Sequence, residues 1–363
     1  MFNILYKFYT CYNKTIFGGY MTKFNYNINE RVLEYFSILE PNFPEFLYDY
    51  INTKELLKQQ YIFLGCGTIY SDLYDTNFFY SNLDHSIGVA LIIWHFTHDK
   101  KQTISGLFHD IATPCFKHCV DFINGDYMNQ ESTEELTAEK LKESTEIKAL
   151  LKRDNIAIEE IEDYHIYPIA DNDNPRVSAD RLEAALANSL LTYNILTLDE
   201  VKEIYNDLEI QKNEDGELEL GFKTKKYARL LVKASTTLSV IYRDDKTRYS
   251  MQFIADILKN LNKDNLITID DLYELKETEI IDIIKESKYK DIYNTWIKSK
   301  KVNISNEEPD NVYYVHHGAK IRYMNPLYKG KRIYDECKIA KRYIDNNLSY
   351  SMDNYVYIDN INF

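Results

Sequence analysis

Apolar positions recur at helical spacing along most of this chain. Val32, Leu33, Phe36 and Leu39 fall three or four residues apart and predict one helix, which Pro41 and Pro44 end. Phe46, Leu47 and Tyr50, then Leu56, Leu57 and Tyr61, predict two shorter ones. Gly65, Gly67 and residues 72–77 read as a loop, after which Ser81 or Asn82 is placed to cap a helix. From Ile87 to Phe96 the chain is apolar nearly all round, as a helix covered on every side must be. Thr103 to Ile111 predicts the next helix, stopped by Thr113-Pro114, and Phe116 to Ile123 another, ended by a turn at Asn124-Gly125-Asp126.

Downstream the same period continues. Leu136 to Glu143 reads as a charged helix, and the acidic run from Asp154 to Asp163 as a solvated face. Residues 171–175, Asp-Asn-Asp-Asn-Pro, form a turn-rich loop that delivers Asp180 to a helix start, and that helix is expected to run on through Leu186 to Leu196. Asn213 to Glu217 has the composition of a hairpin tip. Ala228 to Ile241, Tyr249 to Leu261 and much of Ile267 to Ile297 are helical in pattern, whereas Lys320 to Arg332 alternates around Gly330 like a hairpin. The expected fold is therefore all-α with a small C-terminal β-hairpin region. We divide it into an N-terminal extension (1–28), a helical core (29–264) and a C-terminal helical and hairpin region (265–363).

Composition narrows the function classes. The chain has 363 residues, enough for a sizeable core. Lys and Arg number 43 against 57 Asp and Glu, a formal charge of −14, so bulk attraction to long nucleic acid is not expected. No apolar run is long enough to span a bilayer. The first twenty residues lack a compact apolar stretch followed by a small-residue cleavage site, and Met21 is a candidate natural start. Five cysteines (Cys11, Cys66, Cys115, Cys119, Cys337) contain no CxxC pair, which suits buried thiols in a reducing cytoplasm.

Against this background two histidines stand out. His85 opens the most apolar helix, and His109 is followed at once by Asp110 inside another oily segment. Asp180 starts a third. Buried imidazoles and carboxylates need compensation, and two of each make a hard-to-borderline ligand set for Mn, Fe, Ni, Zn or Mg.

The ordered set His85, His109-Asp110 and Asp180 resembles the H…HD…D signature of the HD-domain metal-dependent phosphohydrolases. Leu64-Gly65, Ile69-Tyr70, Asn82 to Val89 and His109 to His118 are most similar to the deoxynucleoside triphosphate triphosphohydrolase branch, and the resemblance covers roughly residues 55 to 297. It implies an HD-domain helical core and one divalent ion held by His85, His109, Asp110 and Asp180. It implies hydrolysis of a P–O bond in a nucleotide, with a deoxynucleoside triphosphate or monophosphate first. His118 matches a histidine beside the substrate phosphates, and Glu131 an acid/base group, so these two are the expected catalytic pair. Asn82, Gln130, Arg181, Arg248 and Tyr249 are the expected substrate contacts. A small-molecule nucleotide is thus the expected partner, with a homo-oligomer as in relatives and no membrane.

Three departures shape the alternatives. Asn82 stands where the branch has Arg, and Thr113 and Gln130 where it has His, so one cation and two imidazoles are missing at the phosphate end. A phosphodiesterase acting on cyclic or short oligonucleotides is one alternative. A weakly active, nucleotide-sensing metal protein is the other. Lys320, Arg322, Lys329, Lys331 and Arg332 form the densest basic cluster and could bind a phosphorylated ligand, although most such clusters are solvated. His95 and His98 read as helix-end residues, His316-His317 as a loop doublet, and His165 as a residue that could approach the pocket.

Overall fold

The computed structural model describes residues 23–76, 78–123, 125, 128 and 136–363. After helix α1 (Glu30–Leu39), the centre of the molecule is α2 (Asn82–Thr97). Ser81 caps it: the Ser81 hydroxyl accepts from the Asp84 amide at 3.0 Å while the Asp84 carboxylate accepts from the Ser81 amide at 3.1 Å. Every residue from Asn82 to Ile93 is buried, including Ile87, Leu91, Ile92 and Ile93 at 0% exposure. Each of these side chains contributes roughly 1.5–3 kcal/mol by leaving water.

Helix α3 (Lys100–Phe108) packs close against α2, and α4 (Ala179–Ala187) and α1 cover two further sides. Gly106 permits the approach of α3, because a Cβ there would lie 2.2 Å from the Ile93 Cδ1. Helices α5 (Lys225–Ile241), α6 (Asp245–Lys263) and α7 (Glu277–Glu286) follow, and α8 (Lys338–Leu348) returns to α5.

The fold is mostly helical, but its strands make more than a hairpin. β1 (Leu208–Lys212) and β2 (Leu218–Phe222) pair antiparallel around Gly216. β3 (Asn303–Ser305), β4 (Tyr314–Val315), β5 (Leu327–Tyr328), β6 (Lys331–Arg332) and β7 (Tyr355–Tyr357) complete two sheets, ordered β1-β2-β5-β6 and β3-β7-β4. Strands of two or three residues are too short to show alternation, and β5 pairs with a partner a hundred residues earlier, so the sequence pattern could not reveal the sheets.

Three helix boundaries also differ from expectation. The helix expected over Thr103 to Ile111, α3, stops at Phe108, with His109 and Asp110 in the turn beyond it. Only Cys119–Ile123 of the next segment is helical, because Phe116 and Lys117 are left-handed. After Ala187 the chain widens into a π turn over Asn188–Thr192 instead of continuing as an α-helix.

A buried acid ties the later helices to this centre. Glu277, at the start of α7, is fully buried and accepts from the Phe63 and Phe116 amides (3.2 and 3.0 Å) and the Tyr70 hydroxyl (2.8 Å). Burial raises its pKa from the usual 4.5 to about 7, with the three donors opposing. The folded state therefore binds a proton more tightly than the unfolded one, and stability falls as pH rises between those values. Glu277→Gln removes this contribution. In urea titrations the variant should gain on the parent protein between pH 5 and pH 7.5; a pH-independent difference would show that Glu277 does not titrate in this window.

Candidate metal centre

Three elements bring their side chains to one point. His85 projects from the first turn of α2, Asp180 from the first turn of α4, and His109 from the end of α3. Ser178 fixes the start of α4 by accepting from the Arg181 amide at 3.2 Å. The His85 Nε2 lies 3.1 Å from the Asp180 Oδ1, and the His109 Nε2 lies 3.7 Å from the same oxygen. One ligand atom from each of His85, His109 and Asp180 falls within 4.8 Å of the others. Asp110 borders the group, with Oδ2 3.6 Å from the His109 Nε2, and is paired to the Lys117 Nζ at 2.7 Å.

The opposite nitrogen of each ring is already committed. Glu183, one turn after Asp180 and fully buried, lies 2.5 Å from the His85 Nδ1 through Oε2. Its Oε1 accepts from the Tyr80 hydroxyl at 2.6 Å. Gly88 makes room for it, since a Cβ there would stand 2.6 Å from Oε1. The His109 Nδ1 donates to the Gly106 carbonyl at 2.8 Å. Both Nε2 atoms are therefore left to face the convergence point, the arrangement by which outer partners orient metal-ligating imidazoles. Two nitrogens and nearby carboxylate oxygens fit a divalent ion.

Electrostatics show how strongly the carboxylates here favour positive charge, borne by a proton on His85 that an ion would have to displace. Burial alone would lower the His85 pKa, but Glu183 and Asp180 outweigh it and raise it to about 10. Burial would raise Asp110, yet Lys117 and the two imidazoles hold it well below the usual carboxylate range. Asp180 is depressed against its burial by the His85 bond and by both imidazoles. The pocket thus holds its carboxylates ionised, and a cation is the natural counterpart.

The cluster opens into a cavity of about 850 Å³. His118 lines it, with Nδ1 2.9 Å from the Asp121 Oδ2, and burial pushes its pKa down. Arg181 lines it too, its guanidinium held by Asp171 at 2.9 Å and by the Arg176 carbonyl at 3.1 Å. Asn82 is fully buried behind the cluster, where its side chain joins Lys117 to Gln59.

Arg248 and Tyr249 do not reach the cavity, in contrast to the expectation. On α6 the cavity is met by Thr247 and Met251, four residues apart, and the intervening positions rotate away. Arg248 bonds Asp245 (2.6 Å) and the His317 carbonyl, and the Tyr249 ring stacks on Phe253. Gln130 and Glu131 lie outside the described residues.

The basic cluster divides. Lys320 and Arg322 line the cavity, whereas Arg332 pairs with Glu214 and Glu219. His165 lies at the cavity wall, bonded to Asp163 at 2.8 Å, and Tyr164 packs on the His109 ring at 5.0 Å. Lys117 and Glu183, both in contact with the candidate ligands, have no role in the sequence reading. Glu183 had a signal: it stands three after Asp180, as Gly88 stands three after His85.

No protein-family model matches the chain. An uncharacterised protein of Bacillus subtilis, YdhJ, is 23% identical over 252 residues, which are 67% of this chain and 72% of that protein. A phosphohydrolase from Bacteroides thetaiotaomicron superposes with a TM-score of 0.58 at 14% identity, covering 87% of this chain and 96% of its own. A hypothetical protein from Aquifex aeolicus gives 0.51 at 13% identity, over 85% and 91%. At that level of identity the likeness is one of architecture: the chain shares its fold with the Bacteroides phosphohydrolase.

Proposed function

We propose that this protein is a metal-dependent phosphohydrolase of the HD type acting on a small nucleotide, a deoxynucleoside triphosphate or monophosphate first. The observation that carries the reading is the convergence of the His85 and His109 Nε2 atoms on the Asp180 carboxylate, each ring fixed from behind. His85, His109, Asp180 and Asp110 would hold the ion. When bound, such an ion supplies Lewis-acid activation of water and of a phosphoryl oxygen.

The chain's own residues do the rest. Glu183 and the Gly106 carbonyl keep the imidazoles in one tautomer and one orientation. His118 donates its Nδ1 proton to Asp121, which leaves Nε2 as a proton acceptor for the attacking water. Lys117, Arg181, Lys320 and Arg322 supply positive charge for phosphate, and Tyr193, Tyr242 and Tyr323 supply flat apolar surface for a base. Buried free thiols at Cys66, Cys115 and Cys119 suit a reducing compartment.

The test is a hydrolysis screen of manganese-loaded and chelator-stripped protein. Deoxynucleoside triphosphates, monophosphates and cyclic nucleotides are offered, and the phosphate products are resolved. The proposal expects ion-dependent release of tripolyphosphate or orthophosphate. A linearised nucleotide would instead indicate a phosphodiesterase, and binding without turnover a sensor.

A further inference from the structure

The segment that follows the His109-Asp110 pair is bent in an unusual way. Phe116 and Lys117 both adopt left-handed backbone conformations, with φ of 63° and 44°. For residues that carry a Cβ such a conformation is strained, and strain of this kind persists only where the surroundings over-determine it. They do so here. The Cys115 amide donates to the Leu272 carbonyl at 2.8 Å, and the Phe116 amide donates to the buried Glu277 at 3.0 Å.

The consequence of the bend is the position of one ammonium. The Lys117 Nζ donates to the Asp110 Oδ2 at 2.7 Å and to the Asn82 Oδ1, its side chain is 8% exposed, and it lines the cavity beside the candidate ligands. An ammonium carries three donors. Asp110 and Asn82 take two, and the third has no acceptor among the described residues.

Charge balance gives that donor a use. Asp110, Asp180 and Glu183 bring three negative charges to the centre. A divalent ion offsets two of them and Lys117 the third. With Lys117 in place an incoming phosphate meets a neutral centre; without it, a negative one would repel the phosphate.

We propose that Lys117 is a catalytic residue of this centre, whose ammonium holds the Asp110 carboxylate and binds a phosphoryl oxygen of the substrate. This rests on the metal-centre reading above and deepens it by naming the cation that meets the phosphate.

The experiment measures inorganic phosphate binding to manganese-loaded protein by calorimetry, alongside manganese stoichiometry and steady-state hydrolysis, for the parent, Lys117→Met and Lys117→Arg. Lys117→Met should still bind one manganese, lose phosphate affinity by about 10-fold or more, and lose kcat/KM by roughly 100-fold. Lys117→Arg should recover part of both. A folded Lys117→Met that takes up manganese and binds phosphate as the parent does overturns the assignment. So does one that takes up no manganese, since Lys117 would then serve the ion site alone. Should Lys117→Met not fold, Lys117→Arg decides: a several-fold shift in phosphate affinity at unchanged manganese stoichiometry supports the role, and no shift overturns it. If the parent hydrolyses no nucleotide yet phosphate binding still depends on Lys117, the phosphate role stands and the nucleotide reading falls.

Discussion

Asp180→Asn should give a folded protein that no longer retains a divalent ion and hydrolyses its substrate on the order of 10³-fold more slowly, a loss comparable to stripping the parent with a chelator. Asp180 is the point of the arrangement. Its Oδ1 is approached by the His85 Nε2 at 3.1 Å and the His109 Nε2 at 3.7 Å, so it bridges the two imidazoles across three elements. Asparagine has nearly the same shape but no charge, and its amide is a weak ligand for a hard ion. The fold should survive, because α4 starts from the Ser178 cap and is held by Leu182, Leu186 and Glu183, all fully buried. Elemental analysis and turnover measured on the same preparation check the pair of effects. Full metal content with full activity would remove Asp180 from the centre.

Gly88→Ala is the second change with a large expected effect, and it touches no proposed ligand. The added Cβ would stand 2.6 Å from the Glu183 Oε1, 2.8 Å from Cγ and 2.9 Å from Cδ. Glu183 cannot swing aside, being buried and held by the His85 Nδ1 and the Tyr80 hydroxyl. Either α2 and α4 separate or the carboxylate leaves the imidazole. The first course costs about 1–3 kcal/mol of stability by overpacking. The second lowers metal affinity by about 10–100-fold, as loss of a ligand's outer partner does. Glu183→Gln separates the two, since it preserves volume and removes the charge. It should weaken the ion with little change in melting temperature, whereas Gly88→Ala should lower both. A Gly88→Ala protein with parental stability would mean that α2 and α4 are not in this close contact.

The unevenness of what the sequence disclosed has physical causes. The central helix was readable because it is apolar on every face, and a buried helix needs no second face to declare itself. His85, His109, Asp110 and Asp180 could be grouped because polar residues at the ends of such helices must be compensated somewhere. The turns at Asn213 to Glu217 and at Gly330 disclose the β1-β2 and β5-β6 hairpins, but not the sheet that joins them, since β2 finds its partner at Leu327. Arg248 and Tyr249 come from the family resemblance, which places the helix but not its rotation; a helix turns 100° per residue, and Thr247 and Met251 are the positions that face inward. Lys117 escaped notice for another reason. Its neighbours Phe116 and His118 suggested one continuous helix, and only the left-handed turn aims its ammonium at Asp110.

Among the described residues no helix is long and apolar enough to cross a membrane, and the cavity is lined by both basic residues (Lys117, Arg181, Lys320, Arg322) and acidic ones (Asp110, Asp171, Asp180). In a molecule of net charge −14 the phosphate-bearing ligand proposed above would be repelled at long range and drawn in only by local groups such as Lys117, Arg181 and Arg322.

The most direct measurement is anomalous diffraction from crystals soaked in manganese. The account predicts one strong peak within bonding distance of the His85 Nε2, the His109 Nε2 and the Asp180 carboxylate, absent in Asp180→Asn crystals treated identically. An empty cluster, or a peak elsewhere with these side chains unmoved, would contradict it.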